Sequence, residues 1–289
     1  MKISGFTFIR NGEKLGYPFI ASIKSILPIV DEFIIALGRG EDNTEEMIKA
    51  LNEPKIRIIN TVWNENMKVK GYVYGQQKMI AQFACTGDWA FYLEADEVIH
   101  EDDYGKIIEA MKKYKDNDRV EALAFDYYHF YGNMNTFMDS AKWYKTEARI
   151  IKTSVRTYAP DGLYWHVLDK KSRKKARYPY AVRTGAKMYH YGWVRPENQV
   201  KIKVNAVSKY WNNTKEIEFD YGNIDQKILK KFNGTHPEYI KDWIPENKEI
   251  FKANSDYKLT GKDKLHRITK IIEKLLKIDL SKKHIKLIK

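Results

Sequence analysis

Three acidic residues stand close together where an apolar run ends, in the segment WAFYLEADEVIHEDD, residues 89–103. In an extended chain, Glu94 and Asp96 would point to the same side because they are two positions apart. Neighbouring carboxylates repel each other unless a cation lies between them, and their oxygens are typical ligands of divalent cations. The spacing therefore predicts a site for Mn²⁺ or Mg²⁺, which could stabilise a departing diphosphate. The alternative is that these acids are solvated, or that they cap a helix starting near Glu101.

The elements that must position this acidic cluster alternate between strand and helix. Apolar runs predict strands at residues 3–9, 33–37, 55–60 and 89–93, and helical periodicity predicts helices at 17–27, 43–51 and 71–84. Such alternation is typical of a mostly parallel sheet with helices on both faces. Ligands of these sheets bind beyond the carboxyl ends of the strands, which is where Glu94 and Asp96 lie.

The second half of the chain is rich in Tyr, Trp and His. A long strand is predicted for ALAFDYYHFY, residues 122–131, and short strands with loops are predicted for APDGLYWHVLD and GAKMYHYGWVRP. Aromatic side chains with polar groups between them suit a binding cleft, including one for sugars. The alternative for any single ring is a place in an aromatic core.

Charge and cysteine content limit the partners and the compartment. The net charge is +13, and this excess predicts an acidic partner: nucleotide phosphates, nucleic acid or an anionic membrane surface. The single cysteine, Cys85, excludes an internal disulfide and fits a reducing, cytoplasmic compartment. We expect neither a cleavable signal nor a membrane-spanning helix, because no apolar run approaches the roughly 18 residues that a span requires.

In order and spacing, these motifs resemble family 2 glycosyltransferases of the GT-A fold. FTFIRNGEKLGYPFIASIKSILPIVDEFIIALGRGEDNT is similar to the first unit of the family, and GYVYGQQKMIAQFACTGDWAFYLEADEVI is similar to the second. A weaker likeness, to a bacterial subgroup, continues to about Lys203. The resemblance implies a GT-A-like, Rossmann-type sheet with a nucleotide-sugar-binding half (1–103) and an aromatic acceptor-binding half (104–215). The C-terminal third has no match in the family, and its residues predict a helical basic extension (216–289).

The resemblance also implies an activity. Related enzymes transfer a sugar from a nucleotide-diphosphate sugar to a hydroxyl of a glycan or lipid-linked acceptor, with a divalent metal and with inversion at the anomeric carbon. Asp96 would be the direct metal ligand, and His190 would complete the coordination. The family usually has an Asp after its second strand, where this chain has Gly38-Arg39-Gly40. The residues implied to bind the nucleotide or its diphosphate are Phe8, Arg10, Asn11, Asp42 (or Glu41 in its place), Gln77, Lys78 and Lys203.

Direct displacement requires a carboxylate that takes the proton of the acceptor hydroxyl, opposite the leaving group. We predict Asp161 for this role, because it lies in a loop of the second half and partly matches a subgroup motif. Asp169 and Glu147 are alternatives. Asp161 precedes Gly162, so a purely turn-forming role is the competing interpretation.

Two other classes fit part of the sequence. A nucleotidyltransferase would share the sheet and the metal, but it usually has a Gly-rich loop after the first strand, where this chain has one glycine between residues 6 and 15. A nucleic-acid-binding protein would explain the charge. However, residues 262–289 hold ten Lys and Arg against three Asp and Glu, a net +7 that leaves +6 for the rest of the chain, so we expect no specific nucleic acid.

The same basic segment predicts an amphipathic helix. Its apolar positions fall on one face: Leu265, Ile268, Ile272, Leu275 and Leu276. A basic amphipathic helix can lie in an anionic membrane interface, which would make the protein a peripheral membrane protein. Alternatively, the apolar face packs against the catalytic domain or against a second copy, forming a homodimer.

Overall fold

The computed structural model describes residues 1–169, 175–246 and 251–288. Its helices are α1 (Phe19–Ile26), α2 (Thr44–Lys49), α3 (Tyr72–Phe83), α4 (Tyr104–Tyr114), α5 (Glu197–Ser208), α6 (Trp243–Glu246) and α7 (Gly261–Leu276). Its strands are β1 (Ile3–Ile9), β2 (Glu32–Gly38), β3 (Ile56–Thr61), β4 (Trp89–Tyr92), β5 (Glu97–Ile99), β6 (Ala122–Tyr131), β7 (Asn133–Met138), β8 (Thr146–Lys152), β9 (Thr157–Tyr158), β10 (His166–Leu168), β11 (Ala176–Arg177), β12 (Tyr180–Trp193), β13 (Leu229–Lys231) and β14 (Lys286–Leu287).

One large mixed sheet connects both halves of the chain, in the order β13-β7-β6-β8-β4-β1-β2-β3, with β12 pairing beside β5, β6 and β14. The β4-β1-β2-β3 part is parallel, as predicted for the first half. The second half adds antiparallel pairs, because β8 runs against both β4 and β6. The α/β, GT-A-like architecture that the sequence predicted is therefore confirmed, and the second half also contains parallel pairs, of β12 with β6 and with β14.

Strand β4 shows why the sheet needs helices on both faces. All four of its residues are buried. Trp89 and Phe91 belong to one core cluster, whereas Ala90 and Tyr92 belong to another. Because side chains alternate along a strand, a continuously apolar run can pack into the cores on both faces of the sheet. Helices α1 and α4 contribute to the first core, and α3 contributes to the second.

The C-terminal part is less helical than predicted. Besides α7, the described residues after 215 include two short strands, and both join the main sheet: β13 pairs with β7, and β14 pairs with β12. These pairings tie the extension to the second half, so it is not a separate helical appendage. Among the described residues, none of the helices has the length and apolar content needed to cross a bilayer.

Candidate functional site

A cavity of about 570 Å³ opens beyond the carboxyl ends of β1 and β4. Its wall combines residues that follow β1, the acidic turn after β4, the loop around Asp161, the end of β12 and helix α5. Ligand sites of open α/β sheets lie at this edge. Of the predicted site residues, those in the wall are Phe8, Arg10, Asn11, Glu41, Glu94, Asp96, Asp161, His190 and Lys203.

The acidic segment is a turn and not an extended strand. The N–H of Glu97 donates to the carbonyl of Glu94 at 3.0 Å, and β4 already ends at Tyr92. The assumption of alternating side chains therefore does not hold at Glu94 and Asp96. Both still face the cavity. Each carboxylate has its own cationic partners within the protein.

The negative charge of Asp96 is balanced by cationic side chains from two places in the chain. It is buried, and its Oδ2 accepts hydrogen bonds from Lys203 Nζ at 2.8 Å and from Arg195 Nη2 at 3.4 Å. Its Oδ1 lies 3.7 Å from Nε2 of His190. Although burial acts to raise it, Lys203 and Arg195 hold the pKa of Asp96 well below its ordinary value. Asp96 is therefore an anion at any physiological pH.

Lys203 is the counterpart of Asp96 on helix α5. Burial lowers the pKa of Lys203 to about 8, and Asp96 partly offsets that shift. The ammonium group also donates to the carbonyl of Gly192 at 3.1 Å and lies 5.0 Å from the ring centre of Tyr17. The cavity wall thus holds a lysine next to one carboxylate, with the fully buried Arg195 in contact with the same carboxylate. This arrangement can attract an anion such as a diphosphate.

Glu94 belongs to a second ionic group, shared with Glu97 and Arg149. The fully buried Arg149 donates to both Glu97 oxygens, at 2.7 and 2.8 Å, and to Glu94 Oε1 at 2.7 Å. One guanidinium therefore compensates two carboxylates. Burial and the nearby Glu97 raise the pKa of Glu94. Arg149 is the cation that allows these acids to lie side by side, and the sequence analysis did not assign it.

A chain of two imidazoles sets the tautomer of His190. His129 Nε2 lies 2.8 Å from the carbonyl oxygen of Tyr144, so that nitrogen must carry a proton. Burial, followed by His190, lowers the pKa of His129 well below its usual range, so its Nδ1 is an acceptor. His190 Nδ1 lies 3.1 Å away and must donate. The Nε2 atom of neutral His190 therefore keeps its lone pair on the side of Asp96.

These residues fit a divalent cation. Asp96 Oδ1 and the unprotonated His190 Nε2 converge at 3.7 Å, a separation that two ligands of one ion can have. Within the described part of the chain, no group of three or more His, Cys, Asp or Glu residues could hold a metal. Two protein ligands suffice for Mg²⁺ or Mn²⁺ when water and substrate phosphates complete the shell. Glu94 is less suited, because Arg149 occupies its Oε1.

Aromatic rings form the wall near the end of β1. Phe8 packs against Trp63 with ring centres 6.2 Å apart, and Trp63 packs against Tyr210 at 5.7 Å. Arg10 is held beside them, since it forms an ion pair with Glu65 and its Nε donates to the carbonyl of Arg39 at 2.9 Å. Flat apolar surfaces next to a cation suit a nucleoside.

Asn11 shapes the neighbouring turn. It has a φ of +54°, in the left-handed region, and its Oδ1 accepts the N–H of Glu41 at 2.8 Å. The absence of the family's usual Asp after the second strand, where this chain has Gly38, has a steric reason. A Cβ at Gly38 would lie 2.4 Å from Trp63 Nε1. The ring of Trp63 therefore fills the space that a side chain at position 38 would need.

Asp161 combines the two roles that the sequence left open. Its Oδ1 accepts the N–H of Leu163 at 2.8 Å, as in a turn-forming Asp. The residue also lines the cavity. No described residue donates a hydrogen bond to its Oδ2. Tyr92 lies in the same wall with a buried hydroxyl that has no hydrogen-bond partner within the described ranges.

Three predicted nucleotide-binding residues lie outside the cavity wall. Asp42 instead accepts hydrogen bonds from Thr44 at the start of α2, and Gln77 is buried within α3. Lys78 is fully buried, 3.8 Å from the ring centre of Trp165, and donates to the carbonyl of Gly162. The side chain of Lys78 points into the protein interior, where burial lowers its pKa to about 7.

The alternative bases also lie elsewhere. Glu147 is fully buried, and its Oε2 lies 2.6 Å from His284 Nδ1. Asp169 follows β10, and its N–H donates to the carbonyl of Lys175. Neither residue lines the cavity, so geometry favours Asp161 among the three.

Sequence reasoning missed Arg195, Arg149 and Trp63. Arg195 lies within YHYGWVRP, where the sequence assigned a role only to His190, and Arg149 lies within the aromatic segment before Asp161. Each is a buried or cavity-lining residue whose partners are distant in sequence. A search for isolated cations inside apolar strands would have found Arg149, which stands in the fully buried strand β8.

Comparison with known proteins finds a family whose model this chain matches. Residues 8–163, more than half of the chain, match the family model described as Glycosyl transferase family 2. A search of curated proteins found no match.

Solved structures with a partial likeness include S. aureus TarS, 13% identical over 53% of this chain and 29% of that one, with a TM-score of 0.34. Glucosyl-3-phosphoglycerate synthase from Mycobacterium tuberculosis, in complex with Mn²⁺, uridine diphosphate and phosphoglyceric acid, is 18% identical over 44% and 43%, with a TM-score of 0.31. Mannosyl-3-phosphoglycerate synthase from Rubrobacter xylanophilus is 15% identical over 45% and 41%, with a TM-score of 0.32. The matches span less than half of these proteins, and likenesses this weak carry no argument about chemistry.

Proposed function

The chain belongs to glycosyl transferase family 2, and we propose that it transfers a sugar from a nucleotide-diphosphate donor to a hydroxyl of a glycan or lipid-linked acceptor. One observation carries the proposal: Asp96, His190 and Lys203 lie together in the cavity wall beside aromatic rings, with the fully buried Arg195 3.4 Å from Asp96. A lysine and a pair of side chains that could hold a divalent cation suit a diphosphate, and flat rings suit a nucleoside.

In this assignment, Phe8, Trp63 and Tyr210 contact the nucleoside, and Lys203 contacts the diphosphate. Asp96 and His190 would hold Mn²⁺ or Mg²⁺. When bound, the cation would supply positive charge to the departing diphosphate. Lys203 must exchange its contact with Asp96 for one with the donor. Its pKa of about 8 keeps it mostly charged at neutral pH.

Transfer would proceed by direct displacement with inversion. The acceptor oxygen forms a bond to the anomeric carbon, the bond from that carbon to the diphosphate breaks, and the nucleotide leaves with the electron pair. Asp161 receives the proton of the acceptor hydroxyl. Its cavity position and the unoccupied Oδ2 support this role. Trp143 and Trp193, also in the wall, provide surfaces for an acceptor sugar.

A donor screen tests the proposed activity. The full chain is incubated with Mn²⁺ and UDP-, GDP- or CMP-sugars, and released nucleotide is measured. We expect release from one base class, loss of release with a chelator, and quenching of tryptophan fluorescence by the matching nucleotide. The proposal fails if no donor is bound or hydrolysed, or if the protein instead makes a sugar nucleotide from a nucleoside triphosphate and a sugar phosphate.

Asp161→Asn tests the base, with Asp169→Asn as the matched control outside the cavity. Since a positioned base contributes about 10²-fold or more, Asp161→Asn should lower transfer by at least that factor and leave donor binding nearly unchanged. Asp169→Asn should retain transfer. Normal transfer by Asp161→Asn would exclude it as the base. The anomeric configuration of the product, read by NMR, tests inversion separately.

A further inference from the structure

Helix α7 turns its apolar residues away from the protein. Leu275 is 75% exposed, Leu276 is 63% exposed and Leu265 is 60% exposed. The other exposed apolar residues of this surface are Ile268, Ile271, Ile272, Ile278 and Leu280. Helices on globular domains usually bury such a face, and a contiguous exposed apolar surface marks an interaction site. We call these eight residues the outer face of α7.

The opposite side of α7 is polar and is held by ion pairs. Arg267 donates to both oxygens of Asp225, at 2.6 and 2.7 Å. Lys270 lies 3.0 Å from Asp139, and the buried Glu273 accepts from Lys145 at 2.8 Å. These contacts fix the rotation of the helix about its axis, because turning the outer face inward would break all three and bury charges without partners.

The start of the helix is equally well defined. Thr260 Oγ1 accepts the N–H of Asp263, and Asp263 accepts the N–H of Thr260, which together form a capping box. Asp263 is buried against Tyr257, whose hydroxyl donates to it at 2.8 Å. The outer face therefore belongs to a folded helix anchored at its N-terminus and along its inner side.

Lysines border the outer face. Lys262, Lys264, Lys274, Lys277 and Lys282 are exposed, and none of them forms an ion pair with a described residue. The segment 262–289 has a net charge of +7. An apolar strip edged by unpaired lysines matches the chemistry of an anionic lipid surface, where apolar side chains enter the interface and lysines meet the headgroups.

We propose that α7 docks the protein on an anionic membrane surface through this outer face. A second copy of the chain is a poorer occupant, because pairing two outer faces would bring the unpaired lysines of both copies together. The docking surface lies on α7, whereas the cavity is built from other elements. The proposal therefore goes beyond the proposed sugar transfer and does not rest on it.

Vesicle flotation of the full chain tests the docking. We expect binding to phosphatidylcholine vesicles that contain phosphatidylglycerol, and little binding to phosphatidylcholine alone. Lys274→Gln with Lys277→Gln should weaken binding about 30-fold, since each lysine near an anionic leaflet contributes roughly fivefold. Ile271→Ser with Leu275→Ser should weaken it about tenfold or more. All four side chains are exposed, so these variants should fold normally.

Matched controls lie outside the helix. Val69→Ser with Phe83→Ser removes two equally exposed apolar side chains, and Lys24→Gln with Lys112→Gln removes two exposed lysines. Both controls should float like the parent. Equal flotation of the α7 variants and the controls would overturn the proposal. Absence of flotation, with a dimer in light scattering that Ile271→Ser with Leu275→Ser dissociates, would assign the outer face to a second copy instead.

Discussion

Asp96→Asn should reduce stability as well as activity. From the sequence alone we would expect Asp96 at an exposed strand end, where such a change would leave the fold intact. In the structure, Asp96 is only 3% exposed and is surrounded by Lys203, Arg195 and His190. Asparagine preserves the shape but removes the charge. It therefore leaves a buried lysine and a buried arginine without their carboxylate.

The magnitude follows from the burial of these groups. Removing one partner of a buried ion pair costs about 3–5 kcal/mol. Lys203 limits this cost, since its pKa is already lowered to about 8 by burial and would fall further without Asp96. A neutral lysine is easier to bury than a charged one. We therefore expect the free energy of unfolding to decrease by about 3 kcal/mol at about pH 6.

The loss should depend on pH with a defined sign. Because the folded pKa of Lys203 lies below the unfolded value of about 10.4, stability rises with pH between the two values. In Asp96→Asn this rise begins at a lower pH than in the parent. Relative to the parent, the variant therefore loses the most unfolding free energy below the pKa that Lys203 has in the variant. This loss decreases as the pH approaches 8, by about 1.4 kcal/mol for each unit by which the pKa of Lys203 differs between the two proteins.

Urea denaturation followed by fluorescence, at about pH 6 and about pH 9, measures this deficit. Asp126→Asn is the matched control, because Asp126 forms surface ion pairs with Arg183 and Lys187. The control should cost about 1 kcal/mol or less at either pH. A cost for Asp96→Asn that is below about 1 kcal/mol, or equal at both pH values, would refute the reasoning.

Further outcomes follow from the same contacts. Arg149→Met should lower the free energy of unfolding by about 3–5 kcal/mol, because it leaves the buried Glu97 unpaired; a loss as small as that of a surface arginine would contradict this. His129→Phe removes the acceptor of the His190 Nδ1–H and should weaken Mn²⁺ binding, measured by EPR, about 10–100-fold, whereas the half-buried His166→Phe should leave it unchanged. Tyr92→Phe should leave thermal stability unchanged, since the hydroxyl has no partner within the described ranges, and should weaken donor binding in a fluorescence titration; unchanged binding would exclude contact with the donor.

The sequence alone determined the first half of the fold and the position of the site. Strand β6 begins and ends where its aromatic run predicts, and β1, β2 and β4 agree with prediction to within a residue or so. These strands are predominantly apolar, so their burial is encoded largely by the local sequence and does not depend on particular partners. The edge at which Asp96 lies follows from the parallel arrangement alone.

Only the tertiary structure decided which charges meet. Lys203 and Arg195 reach Asp96 from 107 and 99 positions away. A local pattern cannot encode contacts between side chains so far apart in sequence, so Arg149 and Arg195 stayed unassigned. Helix α7 shows the same limit. Its amphipathic pattern was evident, yet the polar side forms ion pairs with Asp225, Asp139 and Lys145 and the apolar side lies outward, because turning the helix would leave the buried Asp225 and Glu273 without their partners.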